Sequence, residues 1–173
     1  MTMGRRLVVV IVALSLAVPI LRSALSSALV TRGDALFYMH DTRASDKYAL
    51  ALQLDRNNVT AADRYVFAAF ISREPHELDR AIRVASAVLQ ADPDEAAVRM
   101  DRALCLQLLK RYPQAERDFE EVGRKLRDVR ALAMAASDAR LNGDTTKARQ
   151  LLRAAAQLDP RYAPVRIALE RNR

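Results

Sequence analysis

Tryptophan is absent from this chain of 173 residues, and glycine, proline and cysteine number only 4, 6 and 1. An all-β fold needs many tight turns, and glycine and proline are the residues that most often form them. Apolar residues make up 51% of the chain but aromatic residues only 5%, so the core must consist mainly of alanine, leucine and valine. Such side chains suit closely packed helices, and we therefore expect an all-α fold.

Residues that carry out catalysis or bind metals are also scarce. Cys105 has no second cysteine for a disulfide or a zinc site, and His40 and His76 are expected in separate loops. The sequence has no glycine-rich phosphate-binding loop, no His-Glu-x-x-His motif and no nucleophile elbow. Adjacent acidic residues such as Glu120 and Glu121 point to different faces of a helix. We expect no enzymatic activity, no metal and no cofactor.

A basic tail, residues 1–6, precedes an apolar stretch. Residues 7–21 include no charge, and Arg22 is the only charged residue within residues 7–30. A membrane-spanning helix needs about 20 predominantly apolar residues, whereas the core of a secretory signal needs about 7–15. We expect a transmembrane anchor over residues 7–25.

Two alternatives remain open for this segment. Cleavage near Ala24, Ser26 or Ala28 would make it a secretory signal, and the pair Arg5-Arg6 would fit a twin-arginine signal. An anchored chain would be a single-pass protein of the inner (plasma) membrane. Its N-terminus would be cytoplasmic and the chain after the anchor would lie outside the cytoplasm, because a short positive tail normally stays inside. A cleaved chain would be secreted.

Small and apolar residues recur at helical spacing along the rest of the chain. Steps of three and four place Tyr112, Ala115, Phe119 and Val122 on one face of a helix. The same spacing returns in three other segments: Ala44, Tyr48 and Ala51; Ala81, Ala85 and Val88; and Ala148, Leu152 and Ala155. The alanines at positions 44, 81, 115 and 148 are separated by 37, 34 and 33 residues, which indicates an internal repeat.

Most of these stripes are followed by residues that interrupt a helix. Asp55, Asp92-Pro93 and Asp159-Pro160 stand at these places. Proline lacks the N–H that a helix needs, and aspartate favours the start of the next helix. A second helix is predicted between consecutive breaks, as in residues 96–109 and 129–141. Each unit is therefore expected to consist of two helices and two turns.

In these features the chain resembles the tetratricopeptide-repeat family. The most specific matches are the stripe from Tyr112 to Val122 and the series Ala148, Leu152 and Ala155 with Pro160 beyond it. The resemblance covers residues 26–160 and implies about four antiparallel helix pairs stacked as an α-solenoid. Residues 161–173 would then form a capping helix.

The sequence also departs from the family pattern. The tryptophan and glycine common in the family's first helix are missing, the first two units lack a turn glycine, and Arg56 and Arg127 replace the closing proline. The step of 37 residues implies an insertion of three, which we expect in residues 59–62 or 72–76.

The resemblance implies a partner-binding groove, because the first helices of such pairs line a concave surface. By phase, the expected groove residues are Asp63, Val66, Phe70, Arg73, Met100, Leu104, Gln107, Arg130, Ala133, Ser137 and Arg140. Family members that clamp a terminal carboxylate have lysine, arginine or asparagine where this chain has Val66, Phe70, Met100 and Leu104. The groove is therefore expected to take an amphipathic helix or an extended segment with apolar anchors and an acidic end.

Positive charge is concentrated in the second half of the chain. Residues 32–103 have 10 basic and 12 acidic side chains, whereas residues 104–173 have 15 and 9. A basic surface could meet anionic lipid, nucleic acid or an acidic protein, but aromatic residues for base stacking are not interleaved there, which disfavours nucleic acid.

These features together predict a non-enzymatic, membrane-tethered scaffold or adaptor that docks a protein partner and assists the assembly of a bacterial envelope complex. Its contacts would be with membrane or envelope proteins and, through residues 7–25, with the bilayer. The alternative is a constitutive structural subunit of a larger membrane protein complex.

Overall fold

The computed structural model describes the backbone of residues 3–171 and the side chains of residues 17–171. Every regular element in this described part is a helix, as expected from the composition. The helices are α1 (Met3–Tyr38), α2 (Arg43–Leu54), α3 (Val59–Ser72), α4 (Pro75–Ala91), α5 (Ala96–Leu108), α6 (Tyr112–Lys125), α7 (Val129–Leu141), α8 (Thr145–Leu158) and α9 (Ala163–Arg171).

The chain divides into an N-terminal unit, residues 1–68, and a C-terminal unit, residues 69–173. In the N-terminal unit α1 packs against α2. Ser26 of α1 is buried and donates a hydrogen bond to the carbonyl of Ala51 (2.9 Å), while the Asn58 side chain donates to the Ser26 hydroxyl (2.8 Å). A Cβ atom on Gly33 would lie 2.5 Å from Cε1 of Tyr48, so only glycine permits this approach of α1 to the ring.

The expected membrane anchor over residues 7–25 is wrong. Within the residues that the structure describes, no helix is both long enough and apolar enough to cross a membrane. α1 continues to Tyr38 without a break at residue 25, and beyond that point it includes charged Arg32 and Asp34 and the buried Ser26. The second part of α1 is used for packing on α2. The expectation of a single-pass inner-membrane protein falls with the anchor. The structure does not describe the side chains of residues 1–16, which include the basic tail 1–6 and the first part of the expected anchor.

In the C-terminal unit each helix from α4 to α9 packs against the next. The residues of the alanine stripes on α4, α6 and α8 are buried as expected: Ala81, Ala85, Val88, Ala115, Phe119, Val122, Ala148, Leu152 and Ala155. The same is true of Ala44, Tyr48 and Ala51 in the N-terminal unit. Gly123 permits a second close approach, because a Cβ there would lie 2.7 Å from Cγ of Leu132.

The helix boundaries follow from short-range polar contacts. Asp128 accepts hydrogen bonds from the backbone N–H groups of Arg130 and Ala131, and Asp144 accepts one from Lys147, so each caps a helix start. The aspartates after the stripes act differently. Each accepts from the backbone N–H two residues further on, which stabilises the turn to the next helix: Asp55, Asp92 and Asp159.

The turns within the helix pairs share one backbone conformation. His40, Arg73, Lys110 and Gly143 all have φ between 56° and 89°. Their separations are 33, 37 and 33 residues, so the extra residues of the long step lie between Arg73 and Ala81, where α4 begins, and not in residues 59–62. α4 is accordingly 17 residues long, whereas α6 and α8 have 14 each.

Candidate functional site

The expected groove residues of the N-terminal unit lie at different depths. Val66 on α3 is completely buried, so its side chain belongs to the core rather than to a surface. Asp63 is half-buried, and burial raises the pKa of its carboxyl although Arg64, whose Nη1 lies 3.3 Å from Oδ2, opposes the shift.

Phe70 and Arg73 belong to the C-terminal unit. Phe70 is half-buried near the end of α3, and Arg73 is exposed at the turn after α3. The backbone of Arg73 has φ of 59°, which is the left-handed conformation that often ends a helix. Arg73 therefore stands at a turn position and not on the face of a helix.

Three expected residues share one face of α5. Met100, Leu104 and Gln107 are half-buried, and the first two pack against the core of the C-terminal unit while keeping part of their apolar surface exposed. Gln107 donates a hydrogen bond of 2.7 Å from Nε2 to Oδ1 of Asp138 on α7. This contact joins α5 directly to α7 and occupies the Gln107 amide.

Asp138 of α7 is not among the residues expected from the sequence, but its environment is unusual for an acidic side chain. Its side chain is completely buried, and Oδ2 has no hydrogen-bond partner. Burial raises the pKa of the Asp138 carboxyl to about 6, the hydrogen bond from Gln107 opposes this shift, and the negative charge of Glu116 adds to it. No local signal marked this residue, since a single aspartate within a helix is usually exposed.

The expected residues of α7 divide between the two ends of the helix. Arg130 is exposed in the first turn and lies 3.5 Å from the carboxylate of Asp128, which precedes the helix. Ala133 and Ser137 are half-buried, and Arg140 is exposed in the last turn. Arg130 and Arg140 therefore do not form one basic end, because ten residues of helix separate them by about 15 Å.

Ala133, Ser137 and Arg140 line a hollow of about 340 Å³ that α7 forms with α8 and α9. We call it the α7–α9 hollow. Residues of the other two helices complete it, among them Leu152, Ile167 and Arg171. The sequence did not reveal this hollow, since it requires the position of α9 relative to α7.

A second hollow of the C-terminal unit, about 360 Å³, contains a buried ion pair. Arg102 of α5 contacts both carboxylate oxygens of Asp118 on α6 (2.8 and 2.7 Å) and donates to the hydroxyl of Ser86 on α4 (3.1 Å). Arg99 lies 3.6 Å from Asp118 and 2.9 Å from Glu121. Opposite charges face each other throughout this network, which therefore fits a role in joining three helices.

A third hollow, about 260 Å³, lies in the N-terminal unit and is lined by aromatic residues. The rings of Phe37 and Phe67 are 5.9 Å apart between centroids, and Tyr48 donates a hydrogen bond of 2.8 Å to Asp34. Arg64 lies 3.3 Å from the same carboxylate. The pKa of Tyr48 is raised, mainly by burial and to a smaller extent by the hydrogen bond to Asp34. The phenol therefore stays neutral.

The described residues offer little for metal or redox chemistry. Among them no group of three or more His, Cys, Asp and Glu side chains is placed to hold a metal ion. Cys105 is buried, and burial raises the pKa of its thiol to about 12, so almost no thiolate forms at neutral pH.

Comparison with solved structures identifies the fold. MamA from Desulfovibrio magneticus RS-1 matches with a TM-score of 0.72 and 16% identity over 85% of this chain and 82% of that one, and a MamA double mutant matches with 0.73 and the same identity and coverage. PilF from Pseudomonas aeruginosa matches with a TM-score of 0.67 and 17% identity over 87% of this chain and 68% of that one. These neighbours are tetratricopeptide-repeat proteins. The fold is the tetratricopeptide-repeat fold.

At 16–17% identity the likeness concerns the fold alone. No protein-family model matches the chain, and no curated protein matches it either. The function must therefore be argued from the tetratricopeptide-repeat helices of this chain and from their exposed side chains.

Proposed function

We propose that this protein is a non-enzymatic scaffold that docks a segment of a partner protein on the inner surface of α5 and α7. We define the inner surface as Met100 and Leu104 of α5 with Ala133, Ser137 and Arg140 of α7. The observation that carries the proposal is the arrangement of these two helices. The Gln107–Asp138 hydrogen bond holds them together, and half-buried apolar side chains of both remain partly open to solvent.

The chemistry of the inner surface favours a protein partner. Met100 and Leu104 offer apolar contact area, and a flexible methionine adapts to partner side chains. Arg140 adds a positive charge beside Ser137 and Ala133 at the α7–α9 hollow. An apolar floor with a positive end suits a segment that has apolar anchors and an acidic residue. Asp63, Phe70, Arg73, Gln107 and Arg130 remain predictions from the sequence and are not needed for this proposal, and the buried Val66 offers no surface to a partner.

The proposal is tested by changing the inner surface without changing the fold. Met100→Lys keeps an unbranched stem of similar length but brings a charge into the apolar floor, and Leu104→Ser removes an apolar anchor. Leu126→Ser is the matched control, because Leu126 is an exposed leucine at the end of α6. Each tagged variant is expressed in the native cells, its fold is checked by circular dichroism, and co-purifying proteins are quantified by mass spectrometry.

We expect both inner-surface variants to lose at least one specific partner tenfold or more while Leu126→Ser retains it. Retention of every co-purifying protein by folded Met100→Lys and Leu104→Ser variants would contradict docking on this surface.

A second candidate, a constitutive subunit of a larger protein complex, is favoured by the exposed apolar residues of α1. Val18, Ile20 and Leu21 are 52%, 70% and 60% exposed. Apolar side chains of this size, clustered on one short stretch of helix, favour a surface that a permanent partner covers. A constitutive subunit would co-purify at fixed stoichiometry through dilution and washing. A docking scaffold would instead release its partner with a measurable off-rate and appear free or substoichiometric.

A further inference from the structure

The α7–α9 hollow has a defined polarity along its length. The turns α7–α8 and α8–α9 are short, so neighbouring helices run antiparallel, and α7 and α9 therefore run in the same direction. Arg140 lies in the last turn of α7, and Arg171 is the last residue of α9. Both line the hollow, and both must stand at the same end of it.

Apart from Ser137, the rest of the hollow is apolar. Leu152 of α8, Ile167 of α9 and Ala136 of α7 line it, and Ile167 is 46% exposed. No acidic residue lines the hollow, and neither arginine has an ion pair with a described residue. An arginine in the last turn of a helix also offsets the partial negative charge of the helix end. The charge of the helix ends explains why Arg140 and Arg171 are basic. It does not explain why both arginines line the same hollow, one from α7 and the other from α9.

We propose that the α7–α9 hollow binds an extended acidic segment of a partner protein through an aliphatic side chain and, two residues further on, a carboxylate side chain. This inference rests on the proposed function and names the chemistry of the segment that this part of the surface recognises. The aliphatic side chain fills the space between Leu152 and Ile167. The carboxylate contacts the guanidinium groups of Arg140 and Arg171.

The spacing of the two contacts comes from the helix walls. Four residues separate Ala136 from Arg140 and Ile167 from Arg171, which corresponds to about 6 Å along a helix axis. In an extended chain, residues i and i+2 point to the same side and are about 6.5 Å apart. An aliphatic residue and an acidic residue with one residue between them therefore match both walls.

Charge complementarity selects the acidic partner. Two guanidinium groups that have no ion pair among the described residues, at one end of an apolar site, attract a carboxylate and repel an ammonium group, so the sign of the charge decides binding. The test therefore compares short peptides that differ only in that charge. Each is capped at both ends, and the parent sequence is Gly-Ser-Leu-Gly-Glu-Ser-Gly. One relative has Lys in place of Glu, and another has Ser in place of Leu.

Binding is measured by titrating each peptide into the ¹⁵N-labelled full-length protein and following the backbone amide shifts. We expect the parent peptide to shift the amides of Ser137, Ile167 and their neighbours, with an affinity at least tenfold above that of either relative. The double variant Arg140→Glu/Arg171→Glu should reverse the preference in favour of the lysine peptide. The matched control is Arg153→Glu/Arg161→Glu, which makes the same change of charge at exposed positions outside the hollow and should behave like the unchanged protein.

Three results would overturn the inference: equal affinity for the glutamate and lysine peptides, shifts confined to other helices, or no shift at millimolar peptide. If any of these occurs while Met100→Lys and Leu104→Ser still lose their partner, the proposed docking function stands and only the assignment of the hollow fails. If those variants keep every partner but the peptide preference is seen and reversed as described, the hollow binds acidic segments and the α5 part of the inner surface is not the main docking site.

Discussion

Replacing Asp138 by asparagine should stabilise the protein at neutral pH. The Asp138 carboxyl is completely buried, has one oxygen without a partner, and has a pKa raised from 3.8 to about 6. The pKa of the folded state exceeds that of the unfolded chain, so the folded state binds the proton more tightly. The stability from this protonated carboxyl is complete below pH 3.8 and is lost as the pH rises through 6. At about 1.4 kcal/mol for each pKa unit, the loss by pH 7 is about 3 kcal/mol.

Asparagine stays neutral at every pH and can still accept the hydrogen bond from Gln107. Its amide group introduces a donor at the position of the unpartnered oxygen, which costs about 1–2 kcal/mol if it stays unsatisfied. We therefore expect Asp138→Asn to raise the free energy of unfolding at pH 7 by about 1–3 kcal/mol, and this gain to fade or reverse at pH 4.

The measurement is urea unfolding of both proteins at several pH values between 4 and 8, because the titration of groups that do not interact with Asp138 cancels in the difference between them. Glu170→Gln, on the exposed side of α9, controls for the removal of one negative charge. A difference between Asp138→Asn and the unchanged protein that does not vary with pH would refute this account. So would an asparagine variant that is less stable at pH 7.

Four further substitutions test the packing by urea unfolding at pH 7. Ala115→Leu and Ala148→Leu place larger side chains at buried contacts between helices and should each cost about 1–3 kcal/mol, and unchanged midpoints would argue against the repeat register. Gly33→Ala forces a Cβ against the tyrosine ring on α2 and should cost about 1–3 kcal/mol, a loss that truncating the ring should partly relieve in the double variant. Arg102→Met leaves the buried Asp118 carboxylate without its main partner and should cost about 3–5 kcal/mol, whereas adding Asp118→Leu should recover a large part of that loss.

The repeat helices could be predicted because their signal is local. Residues three and four apart share a face whatever the rest of the chain does, so Ala115, Phe119 and Val122 revealed the buried side of α6 before any partner helix was known. The prediction of a membrane anchor did not use this local rule. That prediction treats the apolar residues 7–25 as a separate segment. In the structure α1 continues past residue 25, and its side chains Ser26 and Val30 are buried.

The candidate site was harder to predict because it depends on the rotation of each helix and on distant pairs. A phase error of one residue rotates a helix face by 100°, which is enough to place Val66 in the core instead of on the surface. Gln107 and Asp138 are 31 residues apart, and Arg102 and Asp118 are 16 apart. The spacing of residues within one helix does not predict such contacts between helices. The α7–α9 hollow likewise needs side chains from three helices.

The turns show that a repeat unit can form without the glycine that is characteristic of the family. The family pattern places glycine where a left-handed residue ends the first helix of a pair, and only Gly143 fits that pattern in this chain. His40, Arg73 and Lys110 adopt the same conformation at an energetic cost, since a Cβ atom disfavours positive φ. At Lys110 the following N–H, that of Arg111, still bonds back to the carbonyl of Leu106 (2.9 Å), just as that of Asp144 bonds to the carbonyl of Ala139 (2.9 Å) after Gly143. After His40 the N–H of Asp41 makes the same bond to the carbonyl of Leu36 (3.0 Å), whereas after Arg73 the N–H of Glu74 bonds to the hydroxyl of Ser72 (3.4 Å). Three of the four turns therefore share the backbone hydrogen bond that reverses the chain, and only one of those three has a glycine.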